Sequence, residues 1–432
     1  MSGRDNGDYY DYDIFDDEIY SSSRRAEKSN RKPARRNTSK SKRAKARERH
    51  IRQIKNRSLI IITGAVILIL LIVLFTIMLR GCGNSGNKVV NVSTDTIAKQ
   101  QAMSATPSEA TPKTSGGGGT SAKASPFKTP NIADDNTDGA VYGEVCVWNS
   151  SGFLKFTPDS GSAEAYASAV NSLAEQSPSI KFYDMAVPGS TELCLPERLK
   201  SGEFTTSSQA EFISSINNAL GSNVTSVNAY DALVDHNTEY IYYKSDDNWT
   251  DLGAYYAYEA FAKSAGLSPI SLSSCEEKTI DGFYGSYSLY TAEAGTDTVH
   301  YRYLPYDAPM DVTDQSGTTY TNPSPYYEAA AAGAYTYGVF LVGDNPLSVI
   351  RSSSDSAKSG KIALIKEDYG DALAPYLSYN YSEVHIIDYR YFDMMGIKFS
   401  DYCAQNGIND VLIVNDAKSA GSQSQIDALK SL

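Results

Sequence analysis

Histidine is scarce in this sequence. The 432 residues include four histidines: His50, His236, His300 and His385. A serine hydroxyl becomes a good nucleophile only when a neighbouring base takes its proton, and imidazole is the usual base. A Ser–His site in this chain would therefore use one of these four residues.

Cysteine is also sparse, and its spread excludes the common zinc sites. The five cysteines are Cys82, Cys146, Cys194, Cys275 and Cys403. Zinc sites need closely spaced ligand pairs, so we predict no metal and no cofactor. The last four cysteines could form two disulfides in any of three pairings, or they could remain free buried thiols.

Charged residues are absent from residues 58–79, a run of 22 residues that reads SLIIITGAVILILLIVLFTIML. About 20 apolar residues in a helix cross the ~30 Å hydrocarbon core of a bilayer, and a helix satisfies its own backbone hydrogen bonds there. A buried helix of a globular domain rarely needs apolar residues on every face. A signal peptide would not follow so long a polar tail. The run therefore predicts a single transmembrane helix.

The flanking charges predict the orientation of this helix. Residues 24–57 contain 16 lysines and arginines against two glutamates. Basic residues beside a span favour the cytoplasmic side, so we expect residues 1–57 to lie in the cytoplasm. The basic run would contact anionic lipid head groups. An earlier patch in this tail, DYYDYDIFDDEIY, is predicted to be disordered.

The rest of the chain carries the opposite charge. Residues 81–432 contain 21 basic and 42 acidic side chains, a net charge of −21. Such a surface does not suit nucleic acid. Residues 80–138 are rich in Ser, Thr, Ala and Gly without apolar periodicity, which predicts a flexible linker. Residues 139–432 would then form the extracellular domain of a cell-membrane protein.

This domain alternates short apolar runs with helical patterns. We predict strands at residues 141–148, 180–187, 224–227, 337–342, 361–366, 384–388 and 410–414. Helices are predicted at residues 163–176, 209–220 and 251–265, and between the last three strands. This alternation indicates an α/β fold with a mostly parallel sheet flanked by helices. Ligands of such sheets bind where strands end, here after 337–342 and 361–366.

Residues 240–257, YIYYKSDDNWTDLGAYYA, resemble the signature of the DHHW proteins. These are extracellular relatives of SGNH-type hydrolases and of bacterial alginate O-acetylation proteins. The family pattern, roughly Tyr-x-x-Asp-His-His-Trp-Thr-x-x-Gly-Ala-Tyr, aligns from Asp246 through Trp249 to Tyr255. Further similar stretches are VPGS at 187–190, FYGSY at 283–287 and IDYRYF at 387–392. The resemblance covers about residues 141–415 and implies an SGNH-like fold.

The resemblance also implies a chemistry, which is ester hydrolysis or acyl transfer. In the family, an Asp-x-His pair would activate the serine of an Asp-Ser-Tyr turn. Here Asp246 keeps the carboxylate, but Asn248 replaces the histidine and Asp368 replaces the serine. Asn accepts no proton at neutral pH, and an ionised carboxylate has no proton to lose. These three positions therefore predict a degenerate triad.

The histidines offer no clear substitute. His236, ten residues before Asp246, is nearest in sequence. Its surroundings, however, resemble the segment that normally precedes the signature in the DHHW family. His385 is predicted to pack within a strand, and His300 has no evident partner. His50 lies on the cytoplasmic side of the predicted span.

The family geometry would bring together four carboxylates: Asp246, Asp247, Glu367 and Asp368. Such a group could hold a divalent cation, act on a sugar as a carboxylate pair, or form a solvated acidic cleft without a ligand. We expect the last of these. The residues predicted to bind a ligand are Asp247, Trp249, Asn345, Glu367 and Tyr369. Asn345 belongs to a Gly-Asp-Asn turn that resembles the SGNH oxyanion element.

Tyrosine is abundant, with 32 residues against 13 Phe and 2 Trp. Its amphipathic ring suits a carbohydrate groove, although most of these tyrosines would serve as core and surface residues. We predict a non-catalytic envelope protein of a Gram-positive-type bacterium that binds or organises a surface glycan or an envelope partner. The alternative is an active acyl esterase or O-acetyltransferase acting on cell-envelope polysaccharide.

Overall fold

The computed structural model describes residues 126–330, 333 and 335–432. The predicted cytoplasmic tail, the predicted span at 58–79 and residues 80–125 of the predicted linker lie outside this part of the chain. Within the described residues, no helix combines the length and the apolar character that crossing a bilayer requires.

The strands of the described residues form three sheets. In chain order they are β1 (Ala140–Tyr142), β2 (Val145–Trp148), β3 (Ser151–Leu154), β4 (Lys181–Val187), β5 (Val224–Ser226), β6 (Glu276–Phe283), β7 (Asp297–Tyr303), β8 (Met310–Thr313), β9 (Thr319–Asn322), β10 (Leu347–Arg351), β11 (Lys361–Lys366), β12 (Glu383–Asp388) and β13 (Asp410–Asp416). Strands β1 to β3 form an antiparallel sheet, and β6 pairs with β7. The other strands form one sheet in the order β5-β4-β13-β11-β12-β10-β8-β9.

The α-helices of the described residues are α1 (Ser162–Gln176), α2 (Ser190–Cys194), α3 (Gln209–Ala219), α4 (Ala229–Val234), α5 (Asp251–Ser264), α6 (Tyr369–Leu377), α7 (Phe399–Asn406), α8 (Ala417–Ala420) and α9 (Gln423–Lys430). Short 3-10 helices cover Glu197–Leu199, Gly202–Phe204, Leu272–Ser274, Ser286–Leu289, Thr336–Val339 and Phe392–Met395. Side-chain caps begin two of the long helices. Ser208 accepts a hydrogen bond from the backbone of Glu211, and Thr250 accepts one from the backbone of Gly253.

The large sheet is mixed. Strands β5, β4, β13, β11 and β12 run parallel, while β10, β8 and β9 continue the sheet with antiparallel pairing. All residues of the central strand β13 are buried, as expected for a strand covered on both faces. The α/β class is confirmed. The predicted mostly parallel sheet is correct only for the five strands β5, β4, β13, β11 and β12, because no α-helix lies between β8, β9 and β10 to connect them in parallel.

Two predicted strands differ in the structure. Residues 141–148 form a hairpin, because Gly143 adopts a φ of 61° and reverses the chain between β1 and β2. Residues 337–342 form no strand. They continue the 3-10 helix Thr336–Val339 into a turn where Leu341, Val342 and Gly343 have φ values of 56°, 63° and 78°. Buried apolar residues in a compact turn have the same composition as a buried strand, which explains the error.

Residues 126–138, assigned to the linker from their composition, contact the domain. Phe127 stacks on Tyr230 with ring centroids 4.5 Å apart. Lys128 pairs with Asp235, and Arg198 binds Asp134 through its guanidinium. The four described cysteines are all free thiols, so none of them pairs with another.

Candidate functional site

Trp249 holds the signature segment against the start of α6. Its indole ring is fully buried, and its N–H donates a hydrogen bond of 2.9 Å to the carbonyl oxygen of Tyr369. The Tyr369 hydroxyl returns a hydrogen bond of 2.6 Å to the carbonyl oxygen of Asp247. These two contacts join the segment 246–249 to the turn 367–369, which are the two parts of the predicted triad.

The carboxylate of Asp246 is buried and saturated with hydrogen bonds. One oxygen accepts from the backbone N–H of Asn248 at 2.9 Å and from the side-chain amide of Asn248 at 2.8 Å. The other oxygen accepts from the backbone N–H of Ser286 at 2.7 Å. Burial, and then the neighbouring Asp247, raise the pKa of Asp246 to about 6. Asn248 thus makes the contact that a histidine N–H would make, without any proton-accepting nitrogen.

Gly285 allows the FYGSY stretch to approach this carboxylate. A Cβ added to Gly285 would lie 2.3 Å from the Cβ of Asp246, well inside van der Waals contact. The Gly285 N–H also donates to the hydroxyl of Ser245 at 3.1 Å. A residue with a side chain at this position would force the two loops apart and break the Ser286 hydrogen bond.

The position of the expected serine is occupied by an ion pair. Asp368 precedes α6, and its carboxylate lies 2.7 Å from the guanidinium of Arg390. Arg390 also binds Asp388 at 2.6 Å and Asp344 at 2.8 Å. Asp368 therefore neutralises a cation and offers no hydroxyl nucleophile.

Lys366, the last residue of β11, is buried behind this ion pair. Its ammonium lies 2.6 Å from Asp371, 3.0 Å from Asp344 and 3.1 Å from Asp388. Burial alone would lower the pKa of Lys366, but the three carboxylates raise it well above its usual value. In the same way, Lys366 and Arg390 outweigh burial and hold the pKa of Asp344 at about 2. The two cations and the aspartates around them form one charge network.

The 343–345 turn contributes Asp344 to this network, whereas Asn345 faces back into the turn. The amide of Asn345 donates to the carbonyl oxygens of Gly343 at 3.2 Å and Val342 at 3.4 Å. Asn345 therefore stabilises the turn itself. No strand precedes the turn, so it is not the strand exit that the sequence predicted.

Asp247 faces a different cation. Its carboxylate forms an ion pair with Lys418 and accepts a hydrogen bond of 2.8 Å from the hydroxyl of Ser286. Burial would raise the pKa of Asp247, but the Lys418 ammonium holds it below its usual value. Asp247 is thus a partly buried, ionised carboxylate with its charge compensated.

Glu367 is the most deeply buried of the predicted ligand-binding carboxylates. It accepts hydrogen bonds from the backbone of Asp416 at 3.1 Å and of Tyr369 at 3.2 Å. Burial, and then the charge of Asp416, raise its pKa well above the usual value. Of the four carboxylates expected to form one cluster, Asp247 pairs with Lys418 and Asp368 pairs with Arg390, whereas Asp246 and Glu367 accept hydrogen bonds from backbone N–H groups. Within the described residues, no group of three or more His, Cys, Asp or Glu side chains is arranged to hold a metal ion.

A cleft opens beside this site, where β4 and β13 end. It is narrow and partly open to solvent. Its lining includes Ser190, Gln209, Asp247, Tyr369, Asp416 and Lys418. The predicted residues Asp247 and Tyr369 thus line the cleft. Of the predicted triad positions, Asp246 and Asn248 bond to each other, and Asp368 contacts Arg390. Ser190 belongs to the VPGS stretch singled out in the sequence. Asp416 and Lys418 belong to no recognisable motif, so sequence reasoning missed them.

The three described histidines have partners away from this cleft. His236 contacts Glu239 at 2.6 Å, His300 contacts Glu277 at 3.1 Å, and His385 contacts Tyr402 at 2.7 Å. Burial lowers the pKa of His385, which fits a packed and neutral side chain. The described part of the chain therefore places no imidazole beside Asp246 or Ser190.

The described residues thus form an α/β domain in which an Asp-Asp-Asn-Trp segment is joined to the turn after β11. The chain belongs to the DHHW family, since the family model described as DHHW protein matches residues 128–387.

Solved structures support this fold. A DHHW family protein from Eubacterium siraeum is 29% identical, with a TM-score of 0.60, and the match covers 68% of this chain and 97% of that one. PatB1 from Bacillus cereus, solved with a sulfonyl adduct, is 18% identical with a TM-score of 0.54, covering 65% and 96%. Comparison with curated proteins finds no match.

Proposed function

We propose that this protein is a non-catalytic DHHW protein, anchored in the cell membrane, whose extracellular domain binds or organises a surface glycan. One observation carries the proposal. Asn248 donates its amide to Asp246, and the Asp368 carboxylate is paired with Arg390. A serine mechanism needs a base and a nucleophile, and these two positions supply neither.

Exposed tyrosines near the site support binding to a sugar. Tyr284 and Tyr290 are each 46% exposed, and they flank the 3-10 helix Ser286–Leu289. The first residue of that helix contacts both Asp246 and Asp247. A tyrosine ring offers an apolar face and a polar end, which suits the mixed surface of a sugar.

Hydrolysis of an acetyl ester tests the loss of catalysis. The full-length protein, purified in detergent, is compared with the double variant Asn248→His, Asp368→Ser and with a double alanine variant at the same positions. We expect wild type to match the alanine variant, and the histidine–serine variant to gain turnover and to react with a fluorophosphonate probe. Labelling of any serine in the wild-type protein would contradict the proposal.

Retention on purified cell-wall polysaccharide tests the binding role. We expect wild type to be retained, and the variants Tyr284→Ala and Tyr290→Ala to be retained less. The matched control is Tyr320→Ala, because Tyr320 is 39% exposed but lies on β9, the far edge of the sheet. Equal retention of all three variants would show that the tyrosines beside the site do not bind sugar.

An active acyl esterase is the second candidate, and the position of Ser190 favours it. This serine lines the cleft and begins α2 just after β4. Serine at such a strand-to-helix junction is a common place for a nucleophile. If wild type reacts with the fluorophosphonate and the variant Ser190→Ala does not, this second candidate replaces the first.

A further inference from the structure

Residues 126–138, here called the strap, lie against one side of the domain. They form no helix or strand, and every residue of the strap is exposed except Phe127, Pro130 and Ile132, which are partly buried. The strap is therefore held on one face only. A segment held in this way can detach while the rest of the domain stays folded.

The first contact of the strap leads towards the cleft through Tyr230. The Phe127 ring stacks on the ring of Tyr230, with centroids 4.5 Å apart. Tyr230 is 2% exposed, and its hydroxyl donates a hydrogen bond of 3.2 Å to the Glu192 carboxylate in α2. The same carboxylate accepts hydrogen bonds from the backbone N–H groups of Gln209 at 3.0 Å and Ala210 at 3.1 Å, and so caps α3. The strap is thus joined to the start of α3 through the side chains of Tyr230 and Glu192.

Two further residues connect the strap to α2. The side-chain amide of Asn237 donates to the carbonyl oxygen of Asn131 in the strap at 3.1 Å and to that of Leu193 in α2 at 3.0 Å. Arg198 lies shortly after α2 and binds the Asp134 carboxylate of the strap through Nε at 2.8 Å and Nη2 at 2.9 Å. Three contacts of the strap therefore end on α2 or on the chain just after it.

Helix α2 forms part of the cleft wall. Ser190 and Thr191, at its start, line the cleft together with Gln209, the first residue of α3. A helix of five residues is too short to be stable alone, so contacts from outside must hold it in place. The three strap contacts are among them.

We propose that the strap holds α2 in place and so fixes the shape of the cleft. Release of the strap loosens α2 and the start of α3, while the central sheet stays folded. Some of the strap contacts are weak, because they lie at the surface; the ion pair of Lys128 with Asp235, for example, joins two half-exposed side chains. The strap follows the predicted linker in the chain, so a pull on the linker would reach the strap first. This device operates without a bound ligand and goes beyond the proposed function.

Hydrogen–deuterium exchange of the full-length protein in detergent tests the strap. In one variant, residues 127–137 are replaced by a Gly-Ser sequence of equal length, which removes the side chains that anchor the strap. We expect the backbone amides of α2 and of residues 209–212 to exchange at least about tenfold faster than in wild type, and those of β13 to exchange at the wild-type rate. Unchanged exchange in α2 overturns the proposal. Equal acceleration in β13 also overturns it, because the strap would then stabilise the whole domain.

A smaller change tests the connection through Tyr230. Tyr230→Phe keeps the ring that stacks on Phe127 and removes only the hydroxyl that binds Glu192. We expect exchange of residues 209–212 to rise about fivefold, the effect of losing one hydrogen bond, while the strap stays in place. Unchanged exchange of these residues overturns the connection.

The matched control replaces another surface segment. Residues 314–318, the mostly exposed turn between β8 and β9, are replaced by a Gly-Ser sequence of equal length. Exchange in α2 should then stay at the wild-type rate. If α2 exchanges faster in this control as well, the effect does not belong to the strap and the proposal is overturned.

Discussion

The side-chain amide of Asn248 lies 2.8 Å from the carboxylate of Asp246 and donates a hydrogen bond to it. In an Asp–His pair the imidazole N–H makes this contact and the second ring nitrogen takes up the proton. The amide donates a hydrogen bond as well but has no basic atom. The hydrogen bond to Asp246 therefore needs no imidazole at position 248.

Replacing Arg390 with methionine should destabilise the domain by about 3 kcal/mol, since removing one partner of a buried ion pair leaves its carboxylates uncompensated. Asp388 is fully buried, so its charge has little access to water. Urea unfolding measures the loss. The control is Arg351→Met, whose ion pair with Asp311 is partly exposed and should be worth less than about 1 kcal/mol. Equal losses would show that the Arg390 network is no stronger than a surface pair.

Two glycine variants should isolate the effect of backbone strain, because neither position is crowded. A Cβ added at Gly343 or at Gly338 meets no atom within 4 Å, but only Gly343 has a positive φ, of 78°. Gly343→Ala should therefore lower the free energy of unfolding by about 1 kcal/mol, and Gly338→Ala should leave it within about 0.5 kcal/mol. Thermal unfolding of both variants gives the comparison. A neutral Gly343→Ala would mean that the turn relaxes away from its left-handed conformation.

Replacing Trp249 with phenylalanine should cost about 2–4 kcal/mol, because it leaves a cavity and removes the hydrogen bond to the Tyr369 carbonyl oxygen. Trp148→Phe is the natural comparison. Trp148 is 8% exposed and its N–H binds the hydroxyl of Thr137 near the surface, so about 1 kcal/mol is expected. Each variant leaves one tryptophan, whose fluorescence follows unfolding. A smaller loss for Trp249→Phe than for Trp148→Phe would contradict this account of the segment.

Asp184 should make stability depend on pH. Burial raises its pKa to about 7, against 3.8 for an ordinary aspartate. Between these values the folded protein holds a proton that the unfolded chain has released, so stability falls as the pH rises from about 4 to about 7. The Asp184→Asn variant removes this contribution and should gain stability relative to wild type over that range, by about 4 kcal/mol at most. The free energies of unfolding of both proteins, measured by chemical unfolding at pH 4.5, 6 and 8, check this prediction. The highest pH lies about 1 unit above the pKa of Asp184 in the folded protein. A difference between the proteins that does not change with pH would contradict the assignment.

Local patterns were sufficient for much of the fold. The predicted strand at 361–366 coincides with β11, and the predicted helix at 251–265 with α5, because both have an unbroken apolar pattern. The apolar pattern wrongly predicted a strand at 337–342, where the residues form the end of a 3-10 helix and a left-handed turn. The family resemblance is confirmed, whereas the degenerate triad, the membrane span and the glycan partner stay predictions.

The sequence by itself determined the family, the α/β class and the identity of Asn248 and Asp368, because these depend on neighbouring residues and on motif order. Only the tertiary structure decided which cations meet the carboxylates. Lys418 is 171 residues from Asp247, and Trp249 is 120 residues from Tyr369, so no local pattern records either contact. It also decided that Ser190 and Lys418 line one cleft. Such pairs form when separate strands end at the same edge of a sheet, and that arrangement exists only once the chain has folded.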